Sequence, residues 1–424
     1  MARSLCPGAR ASIALLIVAG ACAGTEEAAP TPGIAEADSL VNAWIDRGTA
    51  GGAVLLVSVH GEPVFQKAYG YAASHEFEPA QYPDAAGSSR RPGQLDELRP
   101  MTLETVFDLA SVTKVMATTF AVMMLVQDGS LDLDAPVGSY LPDFSGDGKD
   151  RITARHLLTH RSGLAQWKPI YYHASDSEQA WEYIRDLPLQ WDVGEGRHYS
   201  DLGFMTLGRL VEHISGTGLA DFLAARLYDP LGLTRTGYLP GGEAGFADTS
   251  HGNPFEWRMV HDPEFGYRID GDADAWSEWR QYTLRGEVND GNAHHAFGGV
   301  AGHAGLFSTA SELNRLLAVL LSGGTPSDTR YLDPDLIEHF LTPTGDGQAL
   351  GWQVPEYVPE SGFAHTGFTG TFVMGVRDTG LGVILLTNRQ SPGVDEATNY
   401  PDLAPLQRAL VAALTGPSAA SDPG

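Results

Sequence analysis

Val106-Phe107-Asp108-Leu109-Ala110-Ser111-Val112-Thr113-Lys114 runs without a break into Val115-Met116-Ala117-Thr118-Thr119-Phe120-Ala121-Val122-Met123-Met124-Leu125. A short extended segment followed by a long apolar run predicts a strand end or turn opening into a buried helix. Ser111 then falls in the first turn, near the orphan amides and the positive end of the dipole, where developing negative charge is stabilised. Lys114, three residues on, projects from the same face. In so apolar a helix its ammonium is desolvated, which makes the neutral amine accessible as a base. Ser-x-x-Lys alone equally describes a capping serine and a snorkelling lysine. Its meaning depends on partners elsewhere.

Two partners stand further along. Tyr199-Ser200-Asp201 follows Gly194-Glu195-Gly196-Arg197-His198, and His365-Thr366-Gly367 leads into Phe368-Thr369-Gly370-Thr371 and an apolar strand. A tyrosine near a lysine can shuttle the serine proton, because a neighbouring cation lowers a phenol's pKa. Thr-Gly on an edge strand lets backbone approach a substrate closely. The Phe368 amide would then join that of Ser111 as an oxyanion hole.

These three elements, in this order, resemble the penicillin-recognising serine hydrolases: class C β-lactamases, D-alanyl-D-alanine carboxypeptidases, D-aminopeptidases and related esterases. Residues 152–164 (Ile-Thr-Ala-Arg-His-Leu-Leu-Thr-His-Arg-Ser-Gly-Leu) and 298–308 (Gly-Gly-Val-Ala-Gly-His-Ala-Gly-Leu-Phe-Ser) are similar to further segments of that family. His-Thr-Gly in place of Lys-Thr-Gly, with Glu287 to Ala293, looks most like a branch named for envelope D-alanyl-D-alanine carboxypeptidases. The resemblance implies an α/β (α+β), β-lactamase/transpeptidase-like fold with an antiparallel sheet flanked by helices. It also implies an acyl-enzyme on Ser111, with Lys114 and Tyr199 catalytic, and Asp201, His365, Thr366, Gly367 and Phe368 orienting the substrate. No metal or organic cofactor is required. A carboxypeptidase-type activity on cell-wall peptides leads. An esterase, a small-amide hydrolase, a β-lactamase or a slowly turning-over penicillin-binding sensor are the alternatives. Position 201 departs from the family's usual asparagine. An aspartate beside Lys114 favours the ammonium, which points to Tyr199 as the main base and disfavours a nearby anionic substrate group.

The rest of the chain fits one such domain over residues 39–416. Ala53 to Gly70 reads as a hairpin about His60-Gly61, Ala80 to Pro100 as an exposed loop, and Ser111 to Leu233 as mainly helical. Residues 240–289 are irregular, Ser311 opens a capped helix, and strands return at 372–376 and 380–387 before a helix near 403–414. One sheet built from both termini with an inserted helical lobe follows. His156 and His160 have metal-pair spacing without the glutamate a zincin needs, so packing or hydrogen bonding is the better reading. The same holds for His294, His295 and His303 with Asp290, and for Trp257, Trp276, Trp279 and Tyr282 as packing groups. Asp143 to Gly148 fails as a calcium loop, since its twelfth position is Ala154.

Acidic residues outnumber basic ones by 53 to 27, giving a net charge of −26 that opposes nucleic acid and anionic membrane faces. Arg3 and Arg10 precede the apolar run 11–19, then Gly20-Ala21-Cys22, which reads as a secretory signal over 1–21. Cys22 is a candidate for lipidation, the membrane contact to be expected of such a protein. No cysteine follows it, so the core must hold without disulfides. Residues 22–38 are expected as a solvated linker and 417–424 as a flexible tail. The expected setting is the periplasm or envelope, with a small peptide or ester as substrate, peptidoglycan stem peptide included.

Overall fold

The computed structural model describes residues 33–78, 92–241, 245–265, 269 and 271–416. The expected leader, Cys22, most of the linker and the tail lie outside them. Helix α1 (Ile34–Asp46) begins inside the stretch expected to be linker. Gly33, at φ 82°, starts it, and Ala37 and Val41 bury one face. Asp38 accepts hydrogen bonds from Lys67 (2.7 Å) and Tyr69 (2.8 Å), so the helix is anchored where the sequence shows only small and acidic residues.

The expected hairpin forms from β1 (Gly52–Val59) and β2 (Glu62–Glu76). β3 (Gly93–Pro100) replaces part of the expected loop and pairs with β2, Glu76 opposite Gly93 and Tyr71 opposite Pro100. Its residues are mostly exposed, and Asp96, Glu97 and Arg99 suit an outermost strand that must not recruit another chain. That polarity leaves it without the apolar alternation that marks a strand in sequence.

After β4 (Phe107–Asp108) come a tight turn at Ala110–Val112, a widened turn at Lys114–Thr118 and then α2 (Thr119–Gln127). The 18 residues Ala110–Gln127 are apolar enough to cross a membrane, yet 83% of that span is buried inside the protein, as a core helix is. The helical lobe follows as α3 (Ala154–Leu158), α4 (Ser177–Asp186), α5 (Asp201–Ser215) and α6 (Leu219–Leu223). Next are β5 (Gly237–Tyr238), β6 (Asp248–His251), α7 (Pro254–His261), β7 (Thr283–Arg285), α8 (Gly291–His295) and β8 (Leu306–Ser308). α9 (Ala310–Leu321) is capped by Thr309, whose hydroxyl accepts from the Glu312 amide at 3.3 Å, two residues before the expected Ser311. α10 (Pro334–Leu341), β9 (Gly362–Gly367), β10 (Thr371–Val376), β11 (Leu381–Thr387) and α11 (Ala404–Thr415) complete the chain.

Among the described residues the principal sheet runs β3-β2-β1-β11-β10-β9, so the first and last strands meet at its centre. All its pairings are antiparallel. Both faces are covered. Ala53, Leu55 and Val57 of β1 and Val383 and Leu385 of β11 pack with α1 and α11. Val54, Leu56, Ile384 and Leu386 point the other way, into the larger core around α2 and α5. This alternation is the period of two that a pleated strand imposes. It seats β9 beside the start of the α2 segment, where the site forms.

Candidate active site

Ser111 is positioned by strain held in place with hydrogen bonds. Ala110, just before it, has φ 45°, a conformation costing an L-residue about 1–2 kcal/mol. The carboxylate of Asp108 accepts from the Ala110 amide at 2.8 Å and from the Asn289 amide at 2.6 Å. Burial pushes that carboxyl up to about 6, and the two amide hydrogen bonds only partly offset it. Opposite, the turn after β9 is stitched to the same segment. Thr369 donates to the Asp108 carbonyl at 2.7 Å and Thr371 to the Leu109 carbonyl at 2.9 Å. At Gly367 a Cβ would run into Thr371 Oγ1 and the Leu109 carbonyl, so only glycine lets the strand approach this closely. The Ser111 and Phe368 amides donate to no other described residue. Phe368 and Ser111 line the same cleft.

Lys114 is wholly buried, and its Nζ donates to Ser111 Oγ at 3.0 Å and to the His303 carbonyl at 3.2 Å. It lies 2.7 Å from Asp201 Oδ1 and 5.0 Å from the Tyr199 ring centre. Burial alone would lower its pKa, but Asp201 and Tyr199 outweigh burial and raise it above the ordinary lysine value. The Asp201 carboxylate beside it favours the ammonium over the neutral amine that burial alone would favour. Ser200 caps α5 with its hydroxyl, accepting from Gly203 at 3.1 Å and donating to the Ala165 carbonyl at 2.7 Å. Its amide donates to His160 Nδ1 at 3.0 Å, and the His160 ring lies 4.4 Å from that of Tyr199. Burial, helped by Lys114 and Arg197, holds His160 well below the usual imidazole range, so it stays a neutral acceptor that fixes the tyrosine loop. His156 caps its own helix together with Thr153. The two histidines do the hydrogen-bonding work expected of them.

His365 is placed differently from expectation. It is fully buried, its Nδ1 lies 2.9 Å from the Thr366 carbonyl, and its ring centre is 6.3 Å from Tyr199. Burial and the Lys114 charge push it down to about 3. It lines neither arm of the cleft and supports Tyr199 from behind as an uncharged group, whereas Thr366, Gly367 and Phe368 do line the cleft.

The cleft has two arms meeting at Ser111 and Tyr199. One is a cavity of about 260 Å³ walled by Trp167, Phe255, Met259, Phe368 and Tyr400, with Asp201, Glu256 and Asp290 at its polar side. Phe255, Phe368 and Tyr400 are in ring contact, Phe255 to Phe368 at 4.9 Å. The irregular region 240–290 thus supplies part of the wall through α7, a role the sequence did not disclose. Trp276 and Trp279 instead pack on Tyr171 and His295, as expected of a packing cluster. Half-buried at the cavity wall, Glu256 is pushed up to about 7 by desolvation and by Asp290. Asp201, Asp290 and His303 bring ligand-type atoms within 4.8 Å of one another. Within that group Asp290 lies 3.0 Å from His303 Nε2, and the Lys114 ammonium faces Asp201, so the positive charge a cation would bring is already present.

Known proteins share this architecture. The N-acetylmuramyl-L-alanine amidase of Bacillus subtilis is 34% identical over 390 residues, covering 85% of this chain and 82% of its own. An Escherichia coli protein named "Putative D-alanyl-D-alanine carboxypeptidase" is 29% identical over 378 residues, with 81% and 80% covered. The crystal structure of a family VIII carboxylesterase superposes with a TM-score of 0.64 at 18% identity, covering 91% of this chain and 97% of that one, which speaks for the fold. Residues 38–407 match the family described as beta-lactamase. With its two-sided antiparallel sheet and the Ser111, Tyr199 and His365 segments converging on one cleft, the chain belongs to the beta-lactamase family of hydrolases and has its β-lactamase/transpeptidase-like fold.

Proposed function

We propose that the protein is an exported serine amidase that cleaves amide bonds in peptidoglycan-derived fragments through an acyl-enzyme on Ser111. The observation that carries this reading is the 3.0 Å hydrogen bond from buried Lys114 to Ser111 Oγ, in a cleft shared with Tyr199 and the Phe368 edge. With Lys114 held as an ammonium, Tyr199 enters the cycle as a phenolate and takes the serine proton as Oγ bonds to the carbonyl carbon. The oxyanion is held by the Ser111 and Phe368 amides. Collapse breaks the C–N bond, Tyr199 returns the proton to the departing nitrogen, and water then hydrolyses the ester on Ser111. Both a D-alanyl-D-alanine terminus and a muramyl-L-alanine amide present the bond this cycle needs. The names of the relatives support a cell-wall substrate, and the basic, apolar start of the chain supports an envelope location with Cys22 as its lipid anchor.

One panel tests the proposal: acetyl-D-alanyl-D-alanine, N-acetylmuramyl-L-alanine, p-nitrophenyl acetate and nitrocefin with the same purified protein and its Ser111→Ala variant. Turnover of an amide, lost in the variant, is the expected result. Turnover of the ester or nitrocefin alone would replace this reading by an esterase or β-lactamase. Labelling by a fluorescent penicillin that persists for hours without product release would indicate a sensor.

A further inference from the structure

Attack on Ser111 and departure of the nitrogen leave Asp290 without a task. Its carboxylate and that of Asp201 line the aromatic cavity of about 260 Å³ together with Ser111. The second arm of the cleft, a more open space of about 480 Å³, is lined by Ser111, Tyr199 and Phe368 but by neither carboxylate. Asp201 lies 2.7 Å from Lys114 Nζ, which in turn donates to Ser111 Oγ at 3.0 Å. Asp290 Oδ1 accepts from the Ala293 amide at 2.8 Å and lies 3.0 Å from His303 Nε2, so this group is locked in place. Its second oxygen has no hydrogen-bond partner among the described residues. Side-chain exposures of 18% for Asp201 and 22% for Asp290 keep both open to a water molecule.

The spacing of the two groups fits one water. Their oxygens come within 4.8 Å of each other. A water that donates both hydrogens over bonds of about 2.8 Å spans roughly 4.5 Å between its acceptors. Held in that way, it turns its lone pairs outward as a nucleophile. Burial would raise the pKa of Asp290, but His303, the Ala293 amide and Lys114 outweigh burial and bring it down to about 2, so it stays an acceptor. Glu256 lines the same cavity, but its Oε2 accepts from Asn253 Nδ2 at 2.8 Å and from the Gly291 amide at 3.1 Å, which ties it to the wall. Resting on the acyl-enzyme reading, we propose that Asp201 and Asp290 hold the water that deacylates Ser111, Asp201 as its base and Asp290 as its second acceptor. The water oxygen bonds to the ester carbon as one proton passes to Asp201. Collapse breaks the bond from carbon to Oγ, Lys114 supplies the proton that Oγ needs, and Asp201 returns its own to Lys114. The acyl group leaves as a carboxylic acid, and the site is restored. An asparagine at 201 can hold such a water but cannot take its proton.

The test follows p-nitrophenyl acetate with the full chain, by rapid-mixing release of nitrophenol and by the intact mass of quenched protein. Asp201→Asn should slow loss of the acetyl group from Ser111 by roughly 10²–10⁴-fold, the contribution of a positioned base. Asp290→Asn should slow it by roughly 10- to 100-fold, the loss of one hydrogen bond to a charged acceptor. Both variants should release nitrophenol in a burst and keep the acetyl group on Ser111. Hydroxylamine, a nucleophile that needs no base, should then discharge it. Loss of the acetyl group at the wild-type rate in either variant overturns the proposal, as does turnover with no acetyl group on Ser111. So does an Asp290→Asn burst slowed as much as its deacylation, which marks a structural carboxylate. If the ester reacts and the peptide amides do not, the amidase reading fails while the two variants still decide what holds the water.

Discussion

Lys114 shows how one neighbour changes the task of a buried cation. An isolated lysine in this helix would lose its proton easily, but the Asp201 carboxylate at 2.7 Å keeps it. Removing that negative charge lowers the pKa of the ammonium and of whatever titrates with it. Asp201→Asn should therefore move the pH profile of kcat/KM to lower pH, and an unmoved profile would remove Asp201 from the proton relay. Tyr199→Phe should lower kcat by roughly 10²–10⁴-fold, the usual contribution of a positioned acid–base group, with folding checked by circular dichroism. At this scale the sequence was informative where spacing itself carries chemistry. Ser111, Lys114 and Tyr199 sit where their motifs put them. Asp108, Thr369 and Thr371 were not legible, because each acts through a carbonyl or amide that is distant in sequence or set by a turn. His365 was misread for a related reason: a motif gives a residue's place on a strand, not how far the strand is covered.

The turn joining β9 to β10 is the element on which the site depends most. Two threonine hydroxyls clamp it to the carbonyls just before Ser111, so the Ser111 and Phe368 amides, proposed as oxyanion donors, are held by one local device. Gly367→Ala would force β9 away from Leu109. A drop in kcat of roughly 10²–10³-fold is expected, the loss seen when an oxyanion donor is displaced, with KM for p-nitrophenyl acetate changing far less. Comparable kcat in the variant would mean that the Phe368 amide does not hold the oxyanion. Elements with apolar periodicity were predicted well, as with β1, β2, β10, β11 and α11. β3 was missed because an outer strand survives on polar residues, and the start of α1 was missed because Asp38 is anchored by β2 rather than by an apolar neighbour. α7 belonged to an irregular stretch whose place beside Phe368 depends on long-range packing.

Across the whole molecule, a desolvated acid in the cleft ties stability to pH. Glu256, facing Asp290, Asn253, Arg280 and Tyr171, has its pKa raised from 4.5 to about 7. A folded-state value above the unfolded one favours folding fully at low pH, and the gain is lost as pH rises through 7. Glu256→Gln should therefore flatten the fall in melting temperature between pH 5 and 8, which thermal scans at fixed ionic strength would read. Parallel curves would show that Glu256 does not titrate there. The two-ended sheet was expected from strands at both termini, and it has a consequence in time. β1 can pair on only one side until β11 is made, because its second neighbour lies near the far end of the chain. Throughout most of translation the central strand waits with an open edge, and the major core cannot set. Any machinery that must thread this polypeptide unfolded has until its release from the ribosome to do so.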